Sequence, residues 1–333
     1  MKNNILCCDW GTSSFRLRLV NRTNYKVLAE VNTAEGVAGT FTSWQKDKNV
    51  NRFDFYAQKL LSAIDGLAKS AKINLENVPV IVSGMASSSI GIEEIPYAPL
   101  PFATDGSQAS VRLFKNLLGS GTSLILVSGI KSDDDVMRGE ETQLIGFFNL
   151  SEILQVKSDE TIFVFPGTHS KHILVKNGSI IGFQTFMTGE IFNILADHSI
   201  LKDSIILNSD PGFKELSNRS AYRTGVEVSG SSNLLNTLFS VRTNQLFSKF
   251  TKEQNAFYLS GLLIGYELRQ IHNNPLRQVV ICCAKPLYKH YKLAAEVLNL
   301  RENISFIKPD LIDKATIAGQ VQIFKTFNAF SYE

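Results

Sequence analysis

The hydrophobic pattern of the chain alternates between short apolar runs, which predict strands, and longer stretches with helical spacing. In the first half, strands are predicted over 5–20 (two strands joined by a turn), 26–31, 79–83 and 123–127, and helices over 54–71, 107–118 and 139–150. Their order is βββαβαβα. Strands that alternate with helices in this way are typical of an α/β fold.

The second half of the chain repeats this order. Residues 5–20 read ILCCDWGTSSFRLRLV and residues 161–176 read TIFVFPGTHSKHILVK, so that two Gly-Thr pairs align. Further strands are predicted over 179–184, 278–283 and 304–307, with helices starting near 188, 253, 288 and 310. The segment of about 200–250 is rich in Asn and Ser, has no counterpart, and is predicted to be an insertion. The repeat predicts two domains, 1–157 and 158–333.

The turn of the first hairpin has the composition of a phosphate-binding loop. Asp9 ends the first strand, and Gly11, Thr12 and Ser13 follow it. Successive backbone N–H groups in such a turn can surround phosphate oxygens, and small side chains let the phosphate approach. A carboxylate at this point suits Mg²⁺, which keeps much of its water shell in proteins. An ordinary polar β-hairpin is the alternative, and the duplication favours the phosphate site.

The second hairpin differs from the first in one important position. It contains Gly167, Thr168 and His169, but Phe165 stands where the first hairpin has Asp9. We therefore expect the metal at the first hairpin and phosphate contacts at the second. A local hydrogen bond of His169 within its own turn is the alternative role for that side chain.

A helix start with two acidic residues follows the last strand of the first half. Arg138 and Gly139 precede Glu140 and Glu141. Acidic residues there also have a simple explanation, since they favour the helix dipole by a few tenths of a kcal/mol. However, ligands of α/β sheets bind where strands end. Our hypothesis is that Glu140, in preference to Glu141, acts as general base and that Arg138 stabilises the transferring phosphoryl group.

The composition argues against several classes of protein. Lys and Arg number 34 against 31 Asp and Glu, so the net charge of +3 predicts no basic surface for nucleic acid. No apolar run reaches the roughly 18 residues of a membrane helix, and the start of the chain does not resemble a signal peptide. The four cysteines form two adjacent pairs inside predicted strands and are expected to be buried, reduced thiols. We expect a cytoplasmic protein.

The chain resembles the 2-dehydro-3-deoxygalactonokinase family, the sugar-acid kinases of galactonate catabolism. The resemblance rests on five blocks in order: DWGTSSFR at 9–16, VMRGEETQLIG at 136–146, PGTHSK at 166–171, FMTGE at 186–190 and LSGLLIG at 259–265. It implies an actin-like fold of two ribonuclease-H-like domains around an interdomain cleft. It also implies ATP and Mg²⁺ as cofactors and transfer of phosphate to the 6-hydroxyl of 2-dehydro-3-deoxy-D-galactonate.

The resemblance also implies roles for particular residues. Asp9 would hold the metal. The nucleotide would lie near Gly261, Ala284 and Lys285, and the sugar acid near Ser83, Gly84, Met85, Arg138, Thr188 and Glu190. Thr188 has a second interpretation, as the N-cap of a helix. Gly265 is expected to serve helix packing.

In two places the chain departs from the family pattern. Ala284-Lys285-Pro286-Leu287 replaces a Gly-Thr-Ser-Leu-like turn, and Pro286 removes one N–H. Either the nucleotide sits differently or the preference for the phosphate donor has changed. The aromatic residue expected after the Ser83-Gly84-Met85 segment is also missing, which bears on the identity of the sugar acid.

Three other functions fit parts of the pattern. A phosphohydrolase can use a Gly-x-Glu-Glu sequence for water attack, a sugar sensor can keep the phosphate hairpins without catalysis, and a chaperone ATPase shares the fold. The two glutamates favour catalysis, and sugar-dependent release of ADP would separate a kinase from a hydrolase. The oligomeric state is not determined by the sequence, and a homodimer is compatible with it.

Overall fold

The chain divides into two units that do not follow the simple order of the sequence. A computed structural model describes residues 3–47, 49–150, 160–207, 212–230, 233–271, 278–300 and 304–330. The first unit comprises Met1–Gln155, Lys176–Phe183 and Leu311–Glu333, and the second comprises Val156–Val175 and Gln184–Asp310.

Strands and helices alternate along most of the chain. The strands are Asn4–Trp10 (β1), Phe15–Asn21 (β2), Val27–Thr33 (β3), Val80–Gly84 (β4), Ala98–Pro99 (β5), Phe102–Ala103 (β6), Val111–Phe114 (β7), Leu124–Val127 (β8), Ile130–Lys131 (β9), Val136–Met137 (β10), Glu160–Phe165 (β11), Ser170–Lys176 (β12), Ser179–Phe186 (β13), Gln278–Ile281 (β14) and Ile304–Phe306 (β15). The α-helices are Val37–Lys46 (α1), Arg52–Ala71 (α2), Glu140–Asn149 (α3), Thr188–His198 (α4), Leu216–Val228 (α5), Leu234–Leu246 (α6), Lys252–Arg269 (α7), Lys285–Val297 (α8) and Asp310–Phe330 (α9). Short 3₁₀ helices cover Met85–Ser87, Leu117–Gly119 and Lys202–Ser204.

The sheet of the first unit has the strand order β3-β2-β1-β4-β8-β7. β1, β2 and β3 are antiparallel neighbours, whereas β1, β4 and β8 run parallel. Every residue of β4 and β8 is buried, as expected of parallel strands whose two faces are both covered. A core of apolar side chains around Trp10, Tyr56 and Leu60 fills the space between this sheet and α2.

The second unit repeats the central part of this arrangement. Its strands lie in the order β12-β11-β14-β15, which corresponds to β2-β1-β4-β8 of the first sheet. β14 lies between β11 and β15 and is parallel to both. The core of this unit is built around α7, with buried side chains from α5 and α8 packed against it. The duplicated α/β order predicted from the sequence is therefore confirmed.

One predicted helix is wrong. Residues 107–118 contain β7, which pairs antiparallel with β8, instead of a helix. Asn116 and Leu118 have positive φ angles, and Gly119 and Gly121 follow with positive φ angles of their own. Such a backbone cannot continue a right-handed helix. The structure also adds α1, which the apolar pattern did not predict, and places α5 and α6 in the region predicted as an insertion.

The last helix belongs to the first unit, although the sequence assigned it to the domain 158–333. Gln320 on α9 donates a hydrogen bond to the backbone oxygen of Cys8 (2.7 Å) and another to Ser83 Oγ (2.9 Å). α9 also crosses α3 at glycines. A Cβ on Gly319 would lie 1.8 Å from the Thr142 backbone oxygen, and one on Gly146 would lie 1.7 Å from that of Ala315. The predicted boundary at 157 lies outside the described residues.

The α3–α9 crossing predicts the effect of enlarging Gly319. We expect Gly319→Ala to lower the free energy of unfolding by about 1–3 kcal/mol, because the added methyl group forces the two helices apart. The matched control is Gly66→Ala on α2, where a Cβ would meet nothing within 4 Å. That change should raise stability by about 0.5–1 kcal/mol through helix propensity. The free energy of unfolding of both variants is measured by urea denaturation. If Gly319→Ala is as stable as wild type, α3 and α9 do not pack as closely at Gly319 as the structure shows.

Candidate active site

The first hairpin is held rigidly by the elements around it. The N–H of Gly11 donates to the Ser14 oxygen (2.9 Å) and closes the turn. The Gly11 and Thr12 oxygens accept the N–H groups of Val37 and Ala38 at the start of α1. Gly36 permits this contact, since a Cβ there would lie 2.3 Å from the Thr12 oxygen. Backbone hydrogen bonds thus join the short turn to the start of α1, with Thr12 and Ser13 exposed.

Asp9 lies beside two of the residues predicted to contact the sugar acid, Ser83 and Gly84. Thr188 and Glu190, predicted for the same role, belong to the second unit. In the parallel pairing of β1 with β4, Asp9 is opposite Ser83 and Trp10 is opposite Gly84. Gly84 has φ +90°, and a Cβ on it would lie 2.8 Å from the Trp10 oxygen and 3.4 Å from Asp9 Oδ1. Only glycine leaves this space open next to the carboxylate.

A network of charges surrounds the Asp9 carboxylate. Arg16 Nη1 is 3.9 Å from Asp9 Oδ2 and 2.8 Å from Asp313 Oδ1. Arg18 Nε lies 2.8 Å from Glu30 Oε2. Burial raises the pKa of Asp9, while Arg16 and Arg18 oppose that rise. The side chain is 25% exposed, so one of its faces remains accessible to a ligand.

The loop before α3 completes this group of residues. Gly139 has φ +114°, and a Cβ there would lie 3.7 Å from Gly84 Cα, which places the Arg138–Glu140 segment beside β4. Arg138 Nη1 donates to the Ser87 oxygen (2.7 Å) and to Ser128 Oγ (3.3 Å).

The guanidinium of Arg138 also stacks on an aromatic ring. It lies 4.1 Å from the centre of the Tyr97 ring. Tyr97 therefore supplies an aromatic group beside Arg138, whereas the family pattern has an aromatic residue after the Ser83-Gly84-Met85 segment.

The two glutamates of α3 have different surroundings. Glu140 is partly exposed, and its Oε2 accepts the Arg138 N–H (3.2 Å). Glu141 is 2% exposed and accepts the Gly139 N–H (2.7 Å) and the Thr142 hydroxyl (3.0 Å). Burial raises the pKa of Glu141 to about 7, and the charge of Glu140 adds to the rise. The more accessible carboxylate is that of Glu140.

In the second unit, two sequence blocks that are distant along the chain come together at the Gly167 turn. The Glu190 N–H donates to the Thr168 oxygen (3.0 Å), and His169 Nε2 lies 2.5 Å from Glu190 Oε2. Gly189 approaches the turn so closely that a Cβ would lie 2.7 Å from the Gly167 oxygen. His169 is therefore paired with the side chain of Glu190.

Thr188 is the first residue of α4 but does not cap that helix. The N-cap residue is Met187, and no side chain caps the helix. The hydroxyl of Thr188 instead donates to Glu267 Oε2 (2.5 Å). The N-cap interpretation of Thr188 is wrong.

A cavity of about 570 Å³ opens beside the Gly167 turn, entirely within the second unit. It is lined by Gly167, Thr168, Thr188, Gly189, Phe192, Asn193, Ile206, Leu207, Gly212, Glu215, Asn218, Glu253, Ala256, Phe257, Ser260, Leu263, Ile264, Pro286, Leu287, His290 and Tyr291. Most of this surface is apolar or aromatic. Burial lowers the pKa of His290 to about 4, so its ring is neutral at neutral pH and adds to the aromatic surface.

The residues predicted to contact the nucleotide lie at the edge of this cavity rather than in its wall. Gly261 packs against α5, where a Cβ would lie 2.1 Å from the Tyr222 oxygen, and the preceding Ser260 lines the cavity. Ala284 is the N-cap of α8, and Lys285 is its first residue. Pro286 therefore stands in the first helical turn, where its missing N–H has no acceptor within the helix.

Asp9 fits a magnesium ion by the chemistry of its donor atoms. Among the described residues, no three His, Cys, Asp or Glu side chains converge as a metal site. Mg²⁺ in phosphate sites is commonly held by one or two carboxylates, with water and phosphate oxygens as the other ligands. A single accessible carboxylate beside a hairpin of small residues is compatible with that pattern.

Comparison with known proteins decides the family. The model for 2-keto-3-deoxy-galactonokinase matches residues 9–323. The chain belongs to this family. It is 31% identical to a probable 2-dehydro-3-deoxygalactonokinase of Rhizobium meliloti (strain 1021) over 271 residues, which cover 78% of each chain. It is 29% identical to the 2-dehydro-3-deoxygalactonokinase of Escherichia coli (strain K12), over 67% of this chain and 72% of that protein.

A solved structure supports the fold of this family member. A crystal structure from Sinorhizobium meliloti, assigned provisionally to the same kinase, has a TM-score of 0.75 at 27% identity and covers 98% of this chain and 96% of its own. The family resemblance and the fold of two ribonuclease-H-like halves predicted from the sequence are confirmed. All four cysteines are free and buried, as predicted. None of the helices in the described ranges is long and apolar enough to cross a membrane.

Sequence reasoning missed some residues that the fold brings to these sites. Tyr97 and Ser128 gave no signal, because their contacts with Arg138 depend on the packing of separate loops. Glu267 did leave a signal, since it is a charged residue directly after the apolar run GLLIGY of α7. It is 1% exposed.

The raised pKa of Glu141 predicts a dependence of stability on pH. Between the ordinary pKa of 4.5 and the folded value of about 7, the folded chain retains a proton that the unfolded chain releases, so this group lowers stability as pH rises. Glu141→Gln removes the titration. We expect the stability of this variant relative to wild type to increase by about 2–3 kcal/mol from pH 5 to pH 8, measured by urea unfolding. A stability difference that does not change with pH would contradict the shift.

Proposed function

We propose that the protein transfers the γ-phosphoryl group of ATP to the 6-hydroxyl of 2-dehydro-3-deoxy-D-galactonate, with Mg²⁺ as cofactor. Family membership supports this substrate. One observation of the structure carries the reaction class: Asp9, Gly84 and the Arg138–Glu140 loop lie together at the carboxyl ends of β1 and β4. A carboxylate that can hold the metal and a second one that can accept the proton of the attacking hydroxyl are groups that phosphoryl-transfer enzymes commonly use.

The donor nucleotide is assigned to the cavity of the second unit. The apolar side chains and the neutral His290 ring suit a base and ribose, and the Gly167 turn at one end suits phosphates. The start of α4 is tied to this turn through the Glu190 N–H. Lys285, at the exposed start of α8 next to the cavity residue Pro286, adds a positive charge near the nucleotide.

The metal and the acceptor are assigned to the first unit. Asp9 would hold Mg²⁺ through water, and the ion when bound would neutralise charge on the β- and γ-phosphates. Met85, which is partly exposed, would line the acceptor site where β4 ends beside Asp9, and Ser83 and Gly84, which are buried, would form the base beneath it. Arg138, anchored by Ser87 and Tyr97, would direct its remaining donors at the acceptor or at the transferring phosphoryl group.

Glu140 is assigned as the general base. It would accept the proton of the 6-hydroxyl as the oxygen forms its bond to phosphorus and the bond to ADP breaks. Its carboxylate is accessible and is oriented by the Arg138 N–H. Glu141 is less suited to this task, because it is buried and bonded to Gly139 and Thr142 of its own helix start.

A coupled assay of ADP release tests the proposed function. Purified protein with Mg·ATP is given 2-dehydro-3-deoxy-D-galactonate, its C4 epimer, the parent aldonic acid or no acceptor. We expect ADP release that requires the acceptor and is fastest with the galactonate derivative. Phosphate release without any sugar acid would identify a phosphohydrolase instead, and binding of sugar acid without turnover would identify a sensor.

Asp9→Asn tests the metal assignment. We expect the variant to fold normally and to lose nearly all Mg²⁺-dependent turnover, because the neutral amide does not hold the cation. The matched control is Glu30→Gln, which removes a charge from the same network through its partner Arg18 and should keep activity. Steady-state rates over a range of Mg²⁺ concentrations provide the measurement. Wild-type activity of Asp9→Asn at ordinary Mg²⁺ would exclude Asp9 as the metal ligand.

Glu140→Gln tests the base. We expect kcat to fall by about 10²–10⁴-fold, the usual effect of removing a general base, with little change in nucleotide affinity. Glu141→Gln serves as the comparison and should affect kcat much less. If the large loss follows Glu141→Gln instead, Glu141 is the base. If neither substitution lowers kcat, the reaction needs no side-chain base.

A further inference from the structure

A buried carboxylate connects the elements that surround the cavity of the second unit. Glu267 on α7 is 1% exposed. Its Oε1 accepts Ser170 Oγ (2.6 Å) and lies 3.1 Å from His172 Nε2. Its Oε2 accepts Thr188 Oγ1 (2.5 Å) and the Tyr291 hydroxyl (2.9 Å). Four polar side chains thus converge on one carboxylate.

These four partners belong to three separate elements. Ser170 and His172 lie on β12, directly after the Gly167 turn, whereas Thr188 opens α4 and Tyr291 lies on α8. Thr188 and Tyr291 line the cavity, as does the turn that precedes Ser170. Glu267 itself is not among the lining residues. Any change in its hydrogen bonds must therefore reach a ligand through these partners.

Stability of the fold alone is a weak reason for such an arrangement. Burying a charge is costly, and well-packed apolar residues often replace buried ionic groups without loss of stability. The carboxylate instead orients the side chains that donate hydrogen bonds to it. It can only accept hydrogen bonds, so it fixes the hydroxyl hydrogens of Ser170, Thr188 and Tyr291 toward itself and holds their elements at fixed distances.

We propose that Glu267 is a positioning residue for the nucleotide phosphates, acting through the Gly167 turn and Thr188. The inference rests on the proposed assignment of this cavity to the nucleotide. By holding β12 and the start of α4 to the same carboxylate, Glu267 keeps the backbone N–H groups of the turn in place before the ligand arrives. Preorganisation of this kind increases affinity because less order has to be created on binding.

Glu267→Gln separates this role from simple packing. The two side chains have nearly the same shape, but the Gln amide donates at one of its two positions. If the NH2 group of the Gln side chain takes the place of Oε2, it donates hydrogen bonds to Thr188 and Tyr291. Their hydroxyl groups must then rotate to accept these bonds, and their hydrogens point in new directions in the cavity. The variant keeps the volume of the core while it alters the contacts to the turn.

The experiment measures binding of Mg·ATP by calorimetry together with steady-state kinetics. For Glu267→Gln we expect Kd and KM for Mg·ATP to rise about tenfold, as expected for weakening a hydrogen-bond set to a buried charge, while KM for the sugar acid stays unchanged. Ser170→Ala should shift the same two constants in the same direction by a smaller factor. Ser170 is fully buried, does not line the cavity, and provides the second variant if Glu267→Gln fails to fold.

The matched control is Asn255→Ala on the same helix. Asn255 is fully buried and donates to the Ser204 and Val241 oxygens at 3.0 Å each, and none of these three residues lines the cavity. We expect this variant to lose stability but to keep its KM for Mg·ATP. If KM for Mg·ATP rises by a similar factor in Asn255→Ala and in Glu267→Gln, Glu267 has only a structural role.

A double-mutant cycle gives the remaining test. If Glu267 acts through Ser170, the combined variant should raise KM by less than the product of the two single effects. Unchanged Mg·ATP affinity in Glu267→Gln and Ser170→Ala would overturn the inference while leaving the kinase assignment intact. Failure of the wild-type protein to bind Mg·ATP would instead overturn the donor assignment, and this inference with it.

Discussion

In the first unit, the parallel pairing of β1 with β4 places Asp9 opposite Ser83 and Trp10 opposite Gly84. The other features of the site depend on this register. Gly84 can lie against the Trp10 oxygen only because it lacks a Cβ, and Gly139 approaches Gly84 from the loop before α3. A shift of one residue would turn Asp9 to the other face of the sheet, since neighbouring side chains of a strand alternate. The Asp9 carboxylate and the acidic start of α3 would then no longer lie on the same side of the sheet.

The last helix, α9, stabilises this pairing of β1 with β4. Gln320 reaches from α9 to the Cys8 oxygen and Ser83 Oγ, which are parts of β1 and β4 next to the site. The glycine crossing of α3 and α9 holds the helix that carries Glu140 and Glu141 close to the same strands. A segment from the end of the chain thus supports a site formed by its beginning, and this explains why the first unit includes Leu311–Glu333.

Two carboxylates in the part of the chain that the structure describes, Glu141 and Glu267, are almost fully buried and have different surroundings. Glu141 receives the Gly139 N–H and one hydroxyl, and burial raises its pKa to about 7. Glu267 has four polar partners from three elements. The hydrogen bonds that Glu141 accepts oppose this rise in its pKa, because they favour the charged form of the carboxyl group. The hydrogen bonds of Glu141 are part of the start of α3, whereas those of Glu267 connect elements that form the walls of a cavity.

The sequence by itself determined most of the order of the elements, the duplication, the two hairpins with Gly-Thr turns and the family. These features depend on local periodicity and on residues adjacent in the chain, such as Asp9-Trp10-Gly11-Thr12. The strand at 111–114 was predicted as a helix because its backbone is set by pairing with β8 and by positive φ angles, which the apolar pattern does not encode. The contacts of Tyr97 with Arg138, the four partners of Glu267 and the return of α9 to the first unit were decided only by tertiary structure. Each of these joins residues that are far apart in the chain, and the energy of such contacts exists only when the elements are packed.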